Sequence, residues 1–360
     1  MRILMVCPEL PRADCPGSMA PCARQIESLR ALGHAIDVVD MQGIPKLKYL
    51  QVIPRLRRLA KRAEVIHAHF GYCGWLARWA PLWSGSNAPL VISFMGDDLL
   101  GTPYNARGDL EWFSKLMVRA NRRLATKADQ IIVKSQQMAD VLAPTDAHVI
   151  PNGVDTDVFR PLDRDDARRQ LGLPADASIV LFPGSPDNPR KGHALAKAAV
   201  EAASGLLERR IELLPLWGVQ HDQVALYMNA CNAMLMTSLI EGSPNVVKEA
   251  MACNTAVIGV PVGDVHQLLD GVQGCERCPR DVDALAAAIV RVFGSRTVAA
   301  RDAIVDRGLE LTSVAHRITA VYENALAWSS FAPRKNAKPR LSRSEQRPSE
   351  PVSPQSYRTR

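Results

Sequence analysis

The stretch that most constrains this chain is an apolar segment, Asn232-Ala233-Met234-Leu235-Met236-Thr237-Ser238. It runs into Glu241-Gly242-Ser243-Pro244-Asn245-Val246-Val247-Lys248-Glu249-Ala250-Met251-Ala252. The first part has the length and bounds of a buried strand. Ser243 is a favourable N-cap, and Pro244 suits the first helical position, where its missing N–H costs nothing. The pattern predicts strand, tight turn and helix, with Glu241 in the turn and Glu249 one to two turns into the helix. The free amides of Asn245 and Val246 then face the turn, an anion site at the carboxyl end of a parallel sheet. Two carboxylates flank it, and carboxylates are suited to holding sugar or ribose hydroxyls. Taken alone, the pair also reads as a surface Glu favoured by the helix macrodipole plus an ordinary helical Glu.

With 360 residues the chain exceeds one ordinary core, and two domains are expected. The opening, Arg2 to Cys7, reads as a buried strand. A loop with Gly17-Ser18, a helix from Ala20 to Leu32, and a strand Ala35 to Asp40 follow as a βαβ unit. No G-x-G-x-x-G follows the first strand, which argues against a dinucleotide fingerprint. Val65-Ile66-His67-Ala68-His69 and Leu90-Val91-Ile92-Ser93-Phe94 are strands running into Gly turns, the second ending at Asp97-Asp98. Alternation puts His67 and His69 on one face. A metal pair there lacks further ligands at suitable spacing. His148 to Ile150 leads into the turn Pro151-Asn152-Gly153. A second domain opens near Ala177 with the strand Ile179 to Phe182, then Pro183-Gly184-Ser185 and Pro189-Arg190-Lys191-Gly192.

Charge is unevenly spread. Residues 1–150 hold 19 Lys/Arg against 13 Asp/Glu, residues 151–332 hold 17 against 22, and 333–360 hold 8 against 2. Lys46 to Arg62 is basic and amphipathic, broken by Pro54 into two short helices, and Lys115 to Lys127 is a second basic segment. Either an anionic membrane surface or plain solvation accounts for them, with the second segment favouring the membrane. Nucleic acid is a poor partner, since aromatics make up 5% and no recognition motif appears. No apolar run reaches the ~20 residues of a membrane span, and the start is too short for a signal peptide. A cytoplasmic protein with reduced thiols is expected, peripheral on the inner face of the plasma membrane if the basic segments bind lipid. Cys275-x-x-Cys278 has no second pair at zinc spacing. The tail 333–360, rich in Pro, Ser and basic residues, has a disordered composition.

Glu241, seven residues, then Glu249-Ala250-Met251-Ala252 resembles the signature of retaining, nucleotide-sugar-dependent glycosyltransferases of group 1 (family 4). Pro151-Asn152-Gly153-Val154-Asp155 with Phe159-Arg160-Pro161 is similar to the string closing that family's first domain. The short span from Arg210 to Ser238 resembles a compact subgroup tied to teichuronic acid and exopolysaccharide synthesis. The resemblance implies an α/β chain of the GT-B class, two Rossmann-like doubly wound domains facing a cleft. An acceptor domain over 1–160, a linker over 161–176 and a donor domain over 177–310 are expected, with a helix at 311–330 crossing back.

Implied roles follow residue by residue. Glu241 contacts the donor sugar and Glu249 the ribose, with Ser243, Asn245 and Val246 at the helix start around them. Lys191 neutralises the leaving diphosphate. The family's Arg after the first Gly is replaced by Ser185, so Arg190 is the expected substitute. Gly17 brings backbone toward the donor phosphates. His69 reaches acceptor and donor, with His67 a distant second. Met95 stands where the family often has His, so any acceptor role borne by that His is absent, and Asp98 is left as an acceptor-side candidate. The implied activity is hexosyl transfer to a glycan or lipid-linked acceptor in surface-polysaccharide synthesis. No cofactor besides the nucleotide-sugar donor is expected, and no metal, because no Asp-x-Asp pair is placed to hold one. A non-catalytic sugar-nucleotide binder or an epimerase on the same scaffold is the alternative.

Overall fold

The computed structural model describes residues 1–12, 18–44, 47–105, 107–220, 223–295 and 297–331. Gly17 and the basic tail lie outside them. Short apolar runs become parallel strands buried on both faces, as the all-buried Val65–His69 and Leu90–Ser93 show. In the first half these are β1 (Arg2–Cys7), α1 (Ala20–Ala31), β2 (Ala35–Asp40), α2 (Lys48–Gln51), α3 (Ile53–Ala60), β3 (Val65–His69) and α4 (Gly71–Ser84). Then come β4 (Leu90–Ser93), α5 (Asp97–Leu100), α6 (Trp112–Ala125), β5 (Gln130–Val133), α7 (Gln136–Leu142) and β6 (His148–Val149). Their sheet runs β2-β1-β3-β4-β5-β6 and is parallel throughout.

The second half opens with α8 (Arg164–Leu171) and β7 (Ser178–Phe182), then a 3₁₀ turn at Pro189–Lys191 and α9 (His193–Leu206). It continues through β8 (Ile211–Pro215), α10 (Val224–Ala230), β9 (Ala233–Met236), α11 (Asn245–Ala252), β10 (Ala256–Gly259), α12 (Val265–Leu269) and β11 (Glu276–Arg277). α13 (Val282–Gly294), α14 (Ala300–Asp306) and α15 (Leu311–Phe331) close the chain. The second sheet runs β11-β10-β9-β7-β8, also parallel.

One core layer sets α3, α4, α6 and α7 on one face of the first sheet, through Leu56, Ala77, Leu124 and Met138. Another covers the opposite face with α1 and α15, where Ile26, Ile318 and Tyr322 pack on Ile3 and Met5. α15 thus returns from the second half to the first sheet. The second sheet has its own core. Two doubly wound units of this kind define the GT-B architecture. Among the described residues no helix is long and apolar enough to cross a membrane.

Candidate active site

In each sheet the strand order reverses beside the first strand of the domain, at β1/β3 and at β7/β9. Crevices of open α/β sheets form at such points, beyond the carboxyl ends of the strands. Met95 to Asp98 follow β4 on one side; the Arg190–Lys191 turn and Glu241 follow β7 and β9 on the other. The walls touch through backbone: a Cβ on Gly242 would lie 2.9 Å from the Met95 carbonyl oxygen and 3.1 Å from Gly96 Cα. Only a residue without a side chain permits that approach.

Lys191 Nζ donates to Glu241 Oε1 at 2.8 Å. Arg190 Nη1 stands 3.8 Å from Glu241 Oε2 and donates to Asp97 Oδ1 at 3.1 Å, across the cleft. Gly184 lies under the Lys191 stem, where a Cβ would come within 2.9 Å of Lys191 Cγ. Ser185 carries no charge to this cluster; its hydroxyl accepts from the Asp187 amide at 3.3 Å. The two cations therefore converge on one carboxylate, with Arg190 filling the vicinity that Ser185 leaves neutral. A second bridge joins the domains one turn into α11, where Arg24 Nη2 donates to Glu249 Oε1 at 2.8 Å. Asn152 Nδ2 donates to Asn245 Oδ1 at 3.3 Å nearby.

The start of α11 differs from expectation by one residue. Pro244, not Ser243, holds the N-cap position, and the helix opens at Asn245 and Val246, whose amides belong to the free set of a helix N-terminus. The Ser243 hydroxyl is taken by Lys248 Nζ at 2.9 Å instead of capping. Lys248 is fully buried, and burial pulls its pKa down to about 8 despite Asp264 and Glu249 nearby. Lys134, at the end of β5, is likewise buried and depressed to about 7 by desolvation and then by Lys248. Burial raises the Asp264 carboxyl. The native state thus sheds protons from both lysines that an unfolded chain holds up to a pKa of about 10.4. Native pKa values below the unfolded ones mean that stability rises with pH from about 7 to about 10. Buried thiols such as Cys275, raised above their unfolded value, oppose this gain above about pH 8.5, so the lysine contribution is read as a difference between proteins. The Tm of Lys248→Met should climb less steeply with pH than that of the wild type; an equal slope would place the titration elsewhere.

His67 and His69 share one face, their rings 4.4 Å apart. His67 is a satisfied core residue: Nδ1 meets the Tyr322 hydroxyl at 2.6 Å and Nε2 the Ser93 hydroxyl at 2.8 Å. Burial holds its pKa well below the ordinary value. His69 Nε2 lies 3.5 Å from Gln25 Nε2, and its Nδ1 is buried without a hydrogen-bond partner. Asp98, expected on the acceptor side, is half-buried and its carboxylate is occupied by backbone amides. It accepts from the amides of Met95 and Gly96 at 3.0 Å each and Gly71 at 3.2 Å, while burial raises it to about 6. Its adjacent residue Asp97 is the carboxylate that meets the cleft. Cys275 Sγ accepts the Val257 amide at 3.4 Å, and burial pushes its thiol up to about 11.

Comparison with known proteins places this geometry. The model for Glycosyltransferase Family 4 matches residues 15–158, and that for Glycosyl transferases group 1 matches residues 177–295. This chain belongs to the group 1, family 4 glycosyltransferases. It is similar to the D-inositol 3-phosphate glycosyltransferase of Mycobacterium avium, 29% identical over 66% of this chain and 62% of the relative. It is also similar to TuaC of Bacillus subtilis, a putative teichuronic acid biosynthesis glycosyltransferase, 28% identical over 63% of this chain and 61% of the relative. The matched region spans about three fifths of each relative's length. Sucrose-phosphate synthase of Thermosynechococcus elongatus shares the fold with a TM-score of 0.72, at 21% identity over 91% of this chain and 99% of that one. Anabaena HepE, solved with UDP-glucose, does so at 0.66, with 19% identity over 90% and 100%.

Proposed function

We propose that this protein is a retaining, metal-independent hexosyltransferase. It would move a sugar from a nucleoside-diphosphate donor to a hydroxyl of a glycan or lipid-linked acceptor during surface-polysaccharide synthesis. The observation that carries the reading is the convergence of Lys191 and Arg190 on Glu241 at the carboxyl edge of the second sheet. These charges satisfy one another, which offsets the cost of removing them from water. An arriving diphosphate competes for the two cations and releases Glu241 to the hydroxyls of the donor sugar. Glu249 holds the ribose once Arg24 yields it. As the sugar–phosphate bond breaks, charge grows on the departing diphosphate, where Lys191 and Arg190 are already in place. The departing phosphate oxygen takes the proton from the acceptor hydroxyl, which attacks on the same face. The HepE complex supports a nucleotide sugar as donor, and the likeness to TuaC supports a surface polymer as product.

Glu249→Ala is expected to raise the donor KM about tenfold or more, the worth of a charged hydrogen bond. Glu241→Gln should chiefly lower kcat. Steady-state kinetics over a panel of UDP-, GDP- and ADP-sugars separate the two effects. Wild-type constants in both variants would remove the reading, and isomerised sugar without acceptor would assign the site to an epimerase.

A further inference from the structure

α6 departs from the usual build of a surface helix. Its buried residues, Asn121, Leu124 and Ala125, all lie in the second half. The first two turns leave Trp112, Phe113, Leu116 and Met117 exposed at 74%, 54%, 47% and 38%. A helix normally gains its stability by burying its apolar side against a core, and here large apolar groups at one end meet none. Lys115, Arg119, Arg122, Arg123 and Lys127, exposed as well, are interleaved with and follow them. α4 packs against both α6 and α3 on the same face of the sheet and adds a stripe at i, i+3 and i+7. Its members Tyr72, Trp75 and Trp79 are exposed at 40%, 36% and 52%. The chain before α3 contributes exposed Ile44, Leu47 and Leu50, and α3 itself exposed Arg55, Arg57 and Arg58.

A solvated face accounts for the basic residues but not for this gathering of aromatics among them. Trp and Tyr, with an apolar body and a polar edge, suit the level of lipid headgroups, and clustered Lys and Arg suit anionic ones. We propose that the α2–α3–α4–α6 face docks on an anionic lipid bilayer, with the start of α6 entering the headgroup layer. The face is tied to the cleft. Asn121 Nδ2 donates to the Asp98 carbonyl at 2.9 Å, and the Thr102 amide donates to Ser114 Oγ at 3.1 Å. These bonds fix α6 to α5, whose Asp97 meets Arg190. A lipid-linked acceptor, which rests on the function proposed above, would therefore reach the cleft from the bilayer it is anchored in.

Co-sedimentation of the full chain with vesicles of phosphatidylcholine, with and without phosphatidylglycerol, tests the docking. Binding is expected to need phosphatidylglycerol and to fall with salt, since surface charges are screened beyond about 8 Å at physiological ionic strength. Trp112→Ser combined with Phe113→Ser should lower partitioning at least about tenfold, because each burial of an aromatic ring is lost. The same variant should keep the wild-type Tm and the wild-type thermal shift with nucleotide sugars in solution. Docking that fails in the wild type while nucleotide-sugar binding persists would sink this proposal alone; a wild type that docks but binds no nucleotide sugar would sink the proposed function alone. Equal sedimentation of variant and wild type would overturn the proposal, as would binding indifferent to lipid charge. A dimer dissolved by the double variant, with no vesicle binding, would assign the face to a second copy of the chain and overturn it too.

Discussion

Lys191→Ala is expected to lower the transfer rate at saturating donor by roughly two to three orders of magnitude, about 2.7–4 kcal/mol in the barrier. The size follows from where the charge sits. Nζ is 2.8 Å from Glu241 and the side chain is only 17% exposed, so water is a poor substitute for the missing ammonium. Redundancy is low. Ser185 supplies no charge after Gly184, and Arg190 is shared with Asp97 at 3.1 Å. The variant also leaves Glu241 without its nearest partner, so donor binding should weaken together with turnover. Arg190→Ala should cost less, since Lys191 retains the closer approach to the carboxylate. A loss below about threefold for Lys191→Ala, less than 1 kcal/mol of barrier, would mean that the diphosphate is held elsewhere.

Arg168→Ala is expected to destabilise the fold by about 3–5 kcal/mol without touching the cleft. The residue lies in α8, which Asp163 caps by accepting the Asp166 amide at 2.9 Å and which Gly172 ends at φ 66. Its buried guanidinium donates to the carbonyls of Ala230 at 2.9 Å and Ala177 at 2.8 Å, to Asn232 Oδ1 at 3.2 Å, and to the Ala175 carbonyl. Asn232 Oδ1 also takes the Ile179 amide at 2.9 Å, so one fork joins α8 to the starts of β7 and β9. Alanine would strip the buried Ala230 carbonyl and the less buried Ala175 and Ala177 carbonyls of their donor at once and remove the packing of the buried stem, and a loss of that kind exceeds the worth of the bonds themselves. Arg168→Lys should recover little, because an ammonium cannot reproduce the planar fork. Denaturant unfolding measures this directly; a change under about 1 kcal/mol would show that water fills the gap.

The parallel sheets were legible because strands buried on both faces appear as uninterrupted apolar runs, from Arg2–Cys7 to Ala256–Gly259. The placement of Glu241, Glu249 and Lys191 is legible for a related reason: each stands in the turn or early helix after such a run, where polar groups meet a crevice. Arg24 was not. It is one cation in an ordinary helix, and its partner Glu249 is 225 residues away. Nor does local sequence distinguish Asp97 from Asp98, adjacent carboxylates of which one accepts the backbone amides of its own turn and the other meets Arg190. The Ser243 cap failed because a competitor, Lys248, reaches the hydroxyl from within the helix that Ser243 was expected to start. The basic character of α6 was readable from its residues. That its aromatic end lacks a core was not, since an i, i+4 apolar pattern looks the same whether or not a sheet lies beneath it.

The central claim, that the cleft grips a nucleoside-diphosphate sugar between two cations and two carboxylates, is tested most directly by ligand-induced thermal stabilisation. The wild type, Lys191→Ala and Glu249→Ala are melted against the same panel of UDP-, GDP- and ADP-sugars. A ligand that binds only the native state raises stability by mass action, by about 2.7 kcal/mol at a hundredfold excess over Kd. At least one donor should raise the wild-type Tm by several degrees, with the shift reduced in Lys191→Ala and in Glu249→Ala. No shift from any donor, or a shift of equal size in all three proteins, would contradict the account.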